Sequence, residues 1–384
     1  MNSNATAKNL FLSFLRLGLT AFGGPAMVAQ IRELSTRRNQ WLNETDFKNG
    51  VALCQSIPGA TAMQTAAYVG LRVRGIPGAF AAYLGFGLPA FILMLILSII
   101  YARFSDLPRF ISLFNGLQVI VVAIIISSVY SFGRNIANNY RSIIIALLSA
   151  FAFWGGVSPF IAIVGAGIAG MAFSRASSSK SAADSDMRRT STAKHIATIL
   201  ISFLCCFAAL YFLNNKLFAL GAVMLKIDIF AFGGGFASLP LMLHEVVMGR
   251  GWLDSKTFMD GIALGQVTPG PIVITATFVG YLVYGISGAV VATIAIFTPS
   301  FFMLVIVAPF FDRLKNSVYF LRAIDGVFAS FVGLLLFVCF KFATTVPWDV
   351  ARILLGIAAL AALIRKVDIL YIVLAGAVVS VFIL

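Results

Sequence analysis

Long apolar runs separated by short polar segments cover most of the chain and predict a series of membrane helices. Four runs in the first half have four counterparts in the second half, and one further run has no counterpart. The paired runs are 76–101, 110–132, 142–155 and 158–173, matched by 286–310, 318–340, 350–364 and 368–384, and the unpaired run is 196–213. This pattern predicts nine full crossings.

Two apolar segments near the amino terminus are too short to cross. As helices, residues 9–22 and 47–57 would span roughly 21 and 17 Å, whereas the hydrocarbon core is about 30 Å thick. Each segment ends at a Gly/Pro break, and another short apolar helix follows. The four breaks of this kind read FGGP at 22–25, QSIPGA at 55–60, FGGGF at 232–236 and QVTPGP at 266–271. They predict broken or re-entrant helices.

The chain is an internal duplication. The triplet FGG at 22–24 recurs at 232–234, and identities at a shift of 210 or 211 residues continue over about eighty positions. The unpaired run at 196–213 is the extra crossing that two copies need if they are to sit in opposite orientations. We therefore predict an all-α polytopic membrane protein with two inverted-topology homologous repeats.

Loop charges agree with this organisation. Of the 28 Lys and Arg residues, 19 fall on the predicted cytoplasmic side and 7 on the other side. The Ser-rich, charged segment 174–195 is predicted to be a disordered cytoplasmic linker. The predicted units are a first repeat (1–173), this linker (174–195), a connecting helix (196–213) and a second repeat (214–384).

Composition supports a lipid environment and excludes several functions. The 384 residues are 60% hydrophobic and only 11% charged, against roughly 25% in soluble domains. The net charge of +14 lies in short loops, so it indicates topology and not a nucleic-acid surface. Neither the four cysteines nor the two histidines have the spacing of metal ligands, and no catalytic constellation or nucleotide loop is visible. We predict no metal, no cofactor and no enzymatic activity.

The four breaks are the candidate substrate site. Non-helical backbone at membrane depth is tolerated where it is buried in protein or lines a water-filled cavity. Helices that restart at the breaks would direct backbone N–H groups and positive dipole ends at a bound anion. Packing kinks are the alternative for any single break. The predicted anion-binding residues of the breaks are Gly23, Gly24, Pro25, Gln55, Pro58, Gly59, Gly233, Gly234, Gly235, Gln266, Pro269 and Gly270.

Two cations inside the short helices extend this site. Arg16 and Lys226 each lie six residues before an FGG triplet and correspond at a shift of 210. A cation within a membrane span is a functional candidate, although a side chain reaching toward the interface is the alternative. For coupling to a co-ion we single out Glu33, Glu245 and Asp325. Asp228 and Asp260 are further acidic candidates, and a solvated loop or an ion pair is the alternative for each acid.

The residues of the breaks resemble the chromate ion transporter family in its long, two-domain form. The resemblance rests on FGGP with QIRE (22–33), on QSIPGATAMQTAAYVG (55–70), and on FAFGGGFASLPLM and GQVTPGPIVITATFVGY (230–242 and 265–281). It implies a secondary transporter that exports chromate across the cytoplasmic membrane, with sulfate as a competing or alternative substrate. It also implies two halves of opposite topology.

Other functions stay open at this point. An importer or exchanger for sulfate or another oxyanion would use the same chemistry, because chromate and sulfate are both tetrahedral dianions. A membrane-embedded enzyme or an assembly factor is the alternative from another class. The expected partners are the anion and the lipid bilayer, with no nucleic acid, and the sequence leaves the oligomeric state open, a homodimer included.

Overall fold

The computed structural model describes residues 5–173 and 190–383, and it is helical in both repeats. The first repeat holds α1 (Ala7–Gly18), α2 (Gly24–Arg32), α3 (Glu44–Ser56), α4 (Thr61–Phe104), α5 (Pro108–Ile136), α6 (Tyr140–Trp154) and α7 (Pro159–Phe173). A π-helical turn, Glu33–Arg38, continues α2. The short α1, α2 and α3 are the predicted broken helices.

The second repeat follows the same order. After α8 (Thr190–Leu213) it holds α9 (Asn215–Phe230), α10 (Ser238–Met242), α11 (Ser255–Val267), α12 (Thr275–Val307), α13 (Phe311–Leu314), α14 (Val318–Thr345), α15 (Val350–Ile364) and α16 (Ile369–Ile383). Its π-helical turn is Leu243–Gly249, and 3₁₀ turns at Gly235–Ala237 and Ile272–Ile274 begin the helices that follow the breaks. The duplication read from the sequence is therefore also structural.

The linker and the connecting helix differ in part from the prediction. Positions 174–189 of the predicted linker lie outside the described residues. The last six positions of that segment belong to α8, which begins at Thr190 and not at Ile196.

The helices at the predicted crossings fall into a long group and a short group. Four stretches among the described residues are long and apolar enough to cross a membrane: Thr61–Phe104, Pro108–Ile136, Ile272–Phe310 and Val318–Thr345. By contrast α6, α7, α15 and α16 have 15 residues each, roughly 22 Å of helix. The stretch Thr61–Phe104 is interrupted by non-helical backbone at Arg74 and Gly75, so a short helix does follow the second break, as predicted, and the long helix begins at Ile76.

That kink recurs in the other repeat with nearly the same backbone angles. Arg74 and Gly75 have φ/ψ of −142°/23° and 65°/−154°, while Tyr284 and Gly285 have −141°/27° and 64°/−150°. The second position of each pair lies in a positive-φ region that favours glycine. A glycine at equivalent places thus sets the same bend in both long helices.

The two repeats run in opposite directions. Phe80 of α4 contacts Phe301 of α12, whereas Tyr83, three residues later on α4, contacts Phe297, four residues earlier on α12. The equivalent helices α4 and α12 therefore cross antiparallel. A two-fold axis in the membrane plane relates equivalent helices in this way, so the predicted inverted repeat is confirmed.

The repeats also exchange their last two helices. The helices α6 and α7 pack on α14, and α15 and α16 pack on α5. Small residues allow the close approach: Gly333 faces the carbonyl oxygen of Ala146, and Gly326 lies against the backbone of Gly170. The long helix α5 of the first repeat is thus covered by helices of the second repeat, and α14 of the second repeat is covered by helices of the first.

Candidate functional site

The four breaks lie where a helix of each repeat ends. In the first repeat Gly23 has a φ of 73°, α2 starts at Gly24, and Pro25 occupies its first turn. The other break follows α3, where Ile57 is extended and Gly59 has a φ of 116°. Proline fits a first helical turn because its missing N–H would have no intrahelical partner there.

The breaks of the two repeats pair with each other across the axis. The N–H of Gly59 donates to the carbonyl oxygen of Ala231 at 2.9 Å, and the N–H of Gly270 donates to that of Ala21 at 2.9 Å. Ala231 and Ala21 are equivalent positions, as are Gly270 and Gly59. The two bonds are therefore copies of one contact, in which the third helix of one repeat joins the end of the first helix of the other.

We call the contact between Gly59 and Ala231 the first joint and the contact between Gly270 and Ala21 the second joint. Both joints require glycine. Gly59 and Gly270 have φ values of 116° and 108°, which L side chains rarely adopt. A Cβ on Gly59 would overlap the hydroxyl oxygen of Ser300, and one on Gly270 would come within 2.8 Å of the Ala90 Cβ. The first joint thus lies tightly against α12 of the second repeat, and the second joint lies tightly against α4 of the first repeat.

Several predicted residues meet at the first joint. A Cβ on Gly234 would lie 3.2 Å from the hydroxyl oxygen of Thr61, the residue that begins α4. The carbonyl oxygen of Pro58 accepts from the side chain of Gln64 at 2.6 Å. The breaks at 57–60 and 231–235 thus face each other, although 170 residues separate them along the chain.

The remaining break residues are distributed around these joints. Gly235 lies close to Ile272 of the same repeat, and Gly233 lies against Phe328 of α14. Pro269 is buried, and the amide nitrogen of Gln266 is buried without a hydrogen-bond partner in the described part of the chain. Its equivalent, Gln55, is exposed. Gln266 thus keeps one buried donor unpaired close to the break at residues 268–270.

The two predicted cations differ from each other in their partners. Arg16 is exposed on α1, and its guanidinium has no hydrogen bond or ion pair with the described residues. Lys226 donates to a carboxylate oxygen of Glu245 at 2.6 Å and lies 3.8 Å above the ring of Phe160. The Lys226 charge is therefore already compensated by an acid of its own repeat.

The three predicted coupling acids have different surroundings. Glu245 has a side chain only 13% exposed, paired with Lys226, and Arg250 lies 3.9 Å away. Glu33 pairs with Arg37 and Arg38 on a half-exposed surface, and Asp325 is exposed on α14. Of the three, only Glu245 is mostly buried.

The two further acidic candidates, Asp228 and Asp260, are buried and have stronger polar networks than the three acids singled out for coupling. Asp228 of α9 accepts from the backbone N–H and the hydroxyl of Ser300, at 2.7 and 2.6 Å. Asp260 of α11 accepts from Tyr101 and from Gln118, each at 2.8 Å. The broken symmetry at Asp260, which corresponds to Asn49, was the available signal. Residue types alone could not identify Ser300, Tyr101 and Gln118 as the partners of these acids.

No group of three or more His, Cys, Asp or Glu side chains arranged to hold a metal ion occurs within residues 5–173 and 190–383. The buried acids are bonded to hydroxyl and amide groups instead.

The chain matches known proteins over nearly all of its length. The family model described as chromate transporter matches twice, at residues 8–171 and 218–381. The chain is 32% identical to the chromate transport protein of Cupriavidus metallidurans, over 94% of this chain and 88% of that protein. It is also 32% identical to the chromate transport protein of Pseudomonas aeruginosa, over 85% of this chain and 78% of that protein.

A further relative is an uncharacterized transporter of Methanocaldococcus jannaschii, 44% identical over 100% of this chain and 96% of that protein. No solved structure matches the chain. The two family matches coincide with the two structural repeats, and the family consists of transport proteins and not of enzymes. The chain is therefore a multi-pass membrane transport protein that belongs to the chromate transporter family.

Proposed function

We propose that the protein is a secondary active transporter that exports chromate across the cytoplasmic membrane. The observation that supports this most directly is the reciprocal pair of bonds that joins Gly59 to Ala231 and Gly270 to Ala21. Transporters with inverted repeats bind their substrate where discontinuous helices of the two repeats meet. The relatives named as chromate transport proteins support the choice of substrate.

The chemistry of the joints suits a tetrahedral dianion. The helices α2 and α4 start at the breaks, where their first N–H groups lack intrahelical partners and the helix dipole favours negative charge. The amide nitrogen of Gln266 is a further buried donor. Arg16 supplies a cation with no acidic partner among the described residues.

The symmetry of the joints supports alternating access. Because the two bonds are equivalent, one can open while the other stays closed, and a rocking motion of the repeats would exchange their roles. The substrate would then be exposed to one side of the membrane at a time. Export follows when the site releases the anion on the outer side.

The test is chromate flux in inside-out membrane vesicles that contain the protein. Wild-type vesicles with an imposed inside-positive membrane potential should accumulate labelled chromate against its concentration gradient, and unlabelled chromate should compete better than sulfate. Vesicles from cells with the empty vector provide the background. No accumulation above that background, or accumulation only in right-side-out vesicles, would contradict the proposal. Stronger competition by sulfate would assign the substrate differently.

A further inference from the structure

The side chain of Asp228 is almost completely buried beside the first joint, with 1% of the residue exposed. Its Oδ2 accepts two hydrogen bonds from Ser300, while its Oδ1 has no partner among the described residues. Ser300 also accepts from the N–H of Ala60 at 3.2 Å, in the break before α4. The carboxyl group is thus bonded on one side only.

Gln64 presents a second unpaired oxygen in the same network. Its amide nitrogen donates to the carbonyl oxygens of Pro58 and Ser300, at 2.6 and 3.2 Å. Because both partners are acceptors, the nitrogen must face them and the oxygen must point away. That oxygen, Oε1, is buried and has no partner in the described part of the chain. Both Asp228 and Gln64 therefore bond to Ser300 and retain a buried acceptor.

No positive charge among the described residues compensates Asp228. Its side chain has no ion pair with the described residues, and Lys226, on the same helix, pairs with Glu245. The titratable group that faces it from α4 is the phenol of Tyr83, which donates to the carbonyl oxygen of Phe297 at 2.6 Å. A buried carboxylate whose charge is not compensated is strongly unfavourable, so the group requires a positive partner or a proton.

The network occurs at one joint only. In the other repeat the positions of Asp228, Ser300 and Gln64 are occupied by Gly18, Ala90 and Ile274. The second joint therefore has none of these oxygens.

The other buried acid, Asp260, is bonded differently. Its Oδ1 accepts from Gln118 and its Oδ2 accepts from Tyr101, so both of its oxygens have partners. This acid is an anchor between helices, whereas Asp228 keeps an oxygen free for a ligand.

We propose that Asp228 Oδ1 and Gln64 Oε1 form a binding site for one monovalent cation, a proton or Na⁺, that is coupled to the anion. The inference rests on the proposed function, since it places the cation beside the joint that would hold the anion. Ends of broken helices and unwound carbonyls supply such sites in other inverted-repeat transporters. A single positive charge there satisfies both oxygens and strengthens the binding of a dianion. The exported complex then carries one net negative charge, which an inside-negative membrane potential drives outward.

The experiment is equilibrium binding of chromate to the purified full chain in lipid nanodiscs. One series varies Na⁺ at constant pH and ionic strength, and the other varies pH without Na⁺. In wild type the chromate Kd should fall by roughly 5- to 150-fold in one of the series, the usual range of coupling between sites. The Na⁺ series identifies a Na⁺ site and the pH series a proton site.

Asp228→Asn tests the residue. The asparagine can still accept from Ser300, and its amide nitrogen replaces the cation beside Gln64. The variant should show only the pH dependence that comes from chromate's own protonation, which is the same for every protein in the series. Gln64→Met, of similar length, is the second variant in case the asparagine variant does not fold. It should also weaken the response of the chromate Kd to the cation. Asp260→Asn is the matched control and should respond as wild type does.

The outcomes separate the two proposals. If wild type binds chromate with a Kd that neither series changes beyond chromate's own protonation, the cation site is wrong and the proposed function stands. An Asp228→Asn protein that keeps the full response also overturns the site. If wild type binds no chromate under any condition, the proposed function fails and the inference fails with it.

Discussion

The backbone N–H of Gly59 donates to the carbonyl oxygen of Ala231, which lies in the other repeat. The equivalent bond, from the N–H of Gly270 to the carbonyl oxygen of Ala21, has the same length, and each of the two bonds joins one repeat to the other. Two copies of a unit in opposite orientations thus make one central site, because each supplies the partner that the other lacks. The testable consequences concern this joint, the charges around it and the orientation of the repeats.

Gly59→Ala should disrupt the first joint. The new Cβ would overlap the Ser300 hydroxyl at a backbone angle that alanine adopts at a cost of roughly 1–3 kcal/mol. We expect a lower melting temperature in detergent and loss of chromate flux. Gly133→Ala is the control, because a Cβ there would meet no atom within 4 Å beyond the neighbouring backbone of its own helix. Normal flux in the Gly59 variant would show that the joint is not needed for transport.

Arg16→Gln should weaken transport without loss of folded protein. Its guanidinium has no acidic partner among the described residues, so its removal leaves no buried charge unpaired. Loss of one charge-assisted hydrogen bond to the anion costs about 1.5–3 kcal/mol, a roughly tenfold or greater fall in kcat/KM. Arg365→Gln, at the exposed end of α15, is the matched control. Equal kinetics in both variants would remove Arg16 from the site.

Glu245→Gln should strengthen anion binding if Lys226 contacts the substrate. The glutamate now neutralises Lys226 at 2.6 Å, and its removal frees the ammonium group. Because the Lys226 end of this pair is about half exposed, the pair contributes at most about 1 kcal/mol, and the KM for chromate should fall by up to about fivefold. Glu33→Gln, in a half-exposed pair elsewhere, should leave KM unchanged. A higher KM in the Glu245 variant would argue instead for a direct role of the carboxylate.

Tyr101→Phe should destabilise the fold and leave the chemistry of transport intact. The phenol donates to Asp260 at 2.8 Å, and the variant would leave that carboxylate oxygen buried without a donor. We expect a loss of about 1–3 kcal/mol in unfolding free energy, measured by denaturant unfolding in mixed micelles. Tyr319→Phe, at an exposed position, is the control. Unchanged stability would mean that the bond is not formed in the membrane.

Side-specific labelling should place equivalent loops on opposite sides. Thr45 and Lys256 are exposed and correspond at a shift of 211. In a background without Cys54, Cys205, Cys206 and Cys339, single cysteines at the two positions should react with an impermeant maleimide from opposite faces of the membrane. Labelling of both positions from the same face would contradict the antiparallel crossing of α4 and α12.

The sequence was sufficient for features that depend on local composition. An apolar run long enough for a membrane can be read residue by residue, and so can a Gly/Pro break. The duplication is visible because its two copies, FGG at 22–24 and 232–234 among others, keep the same residues. These features fixed the membrane class, the two repeats and the positions of the breaks before any contact was known.

Only the tertiary structure decided which break meets which and which charges are compensated. The partner of Gly59 lies at Ala231, and the partner of Asp228 lies at Ser300, 72 residues away. Lys226 has a symmetry equivalent in Arg16, yet only Lys226 lies beside an acid. Such contacts follow from the exchange of helices between the repeats. Hydrophobic periodicity determines where helices form, whereas their packing across the axis determines which side chains meet.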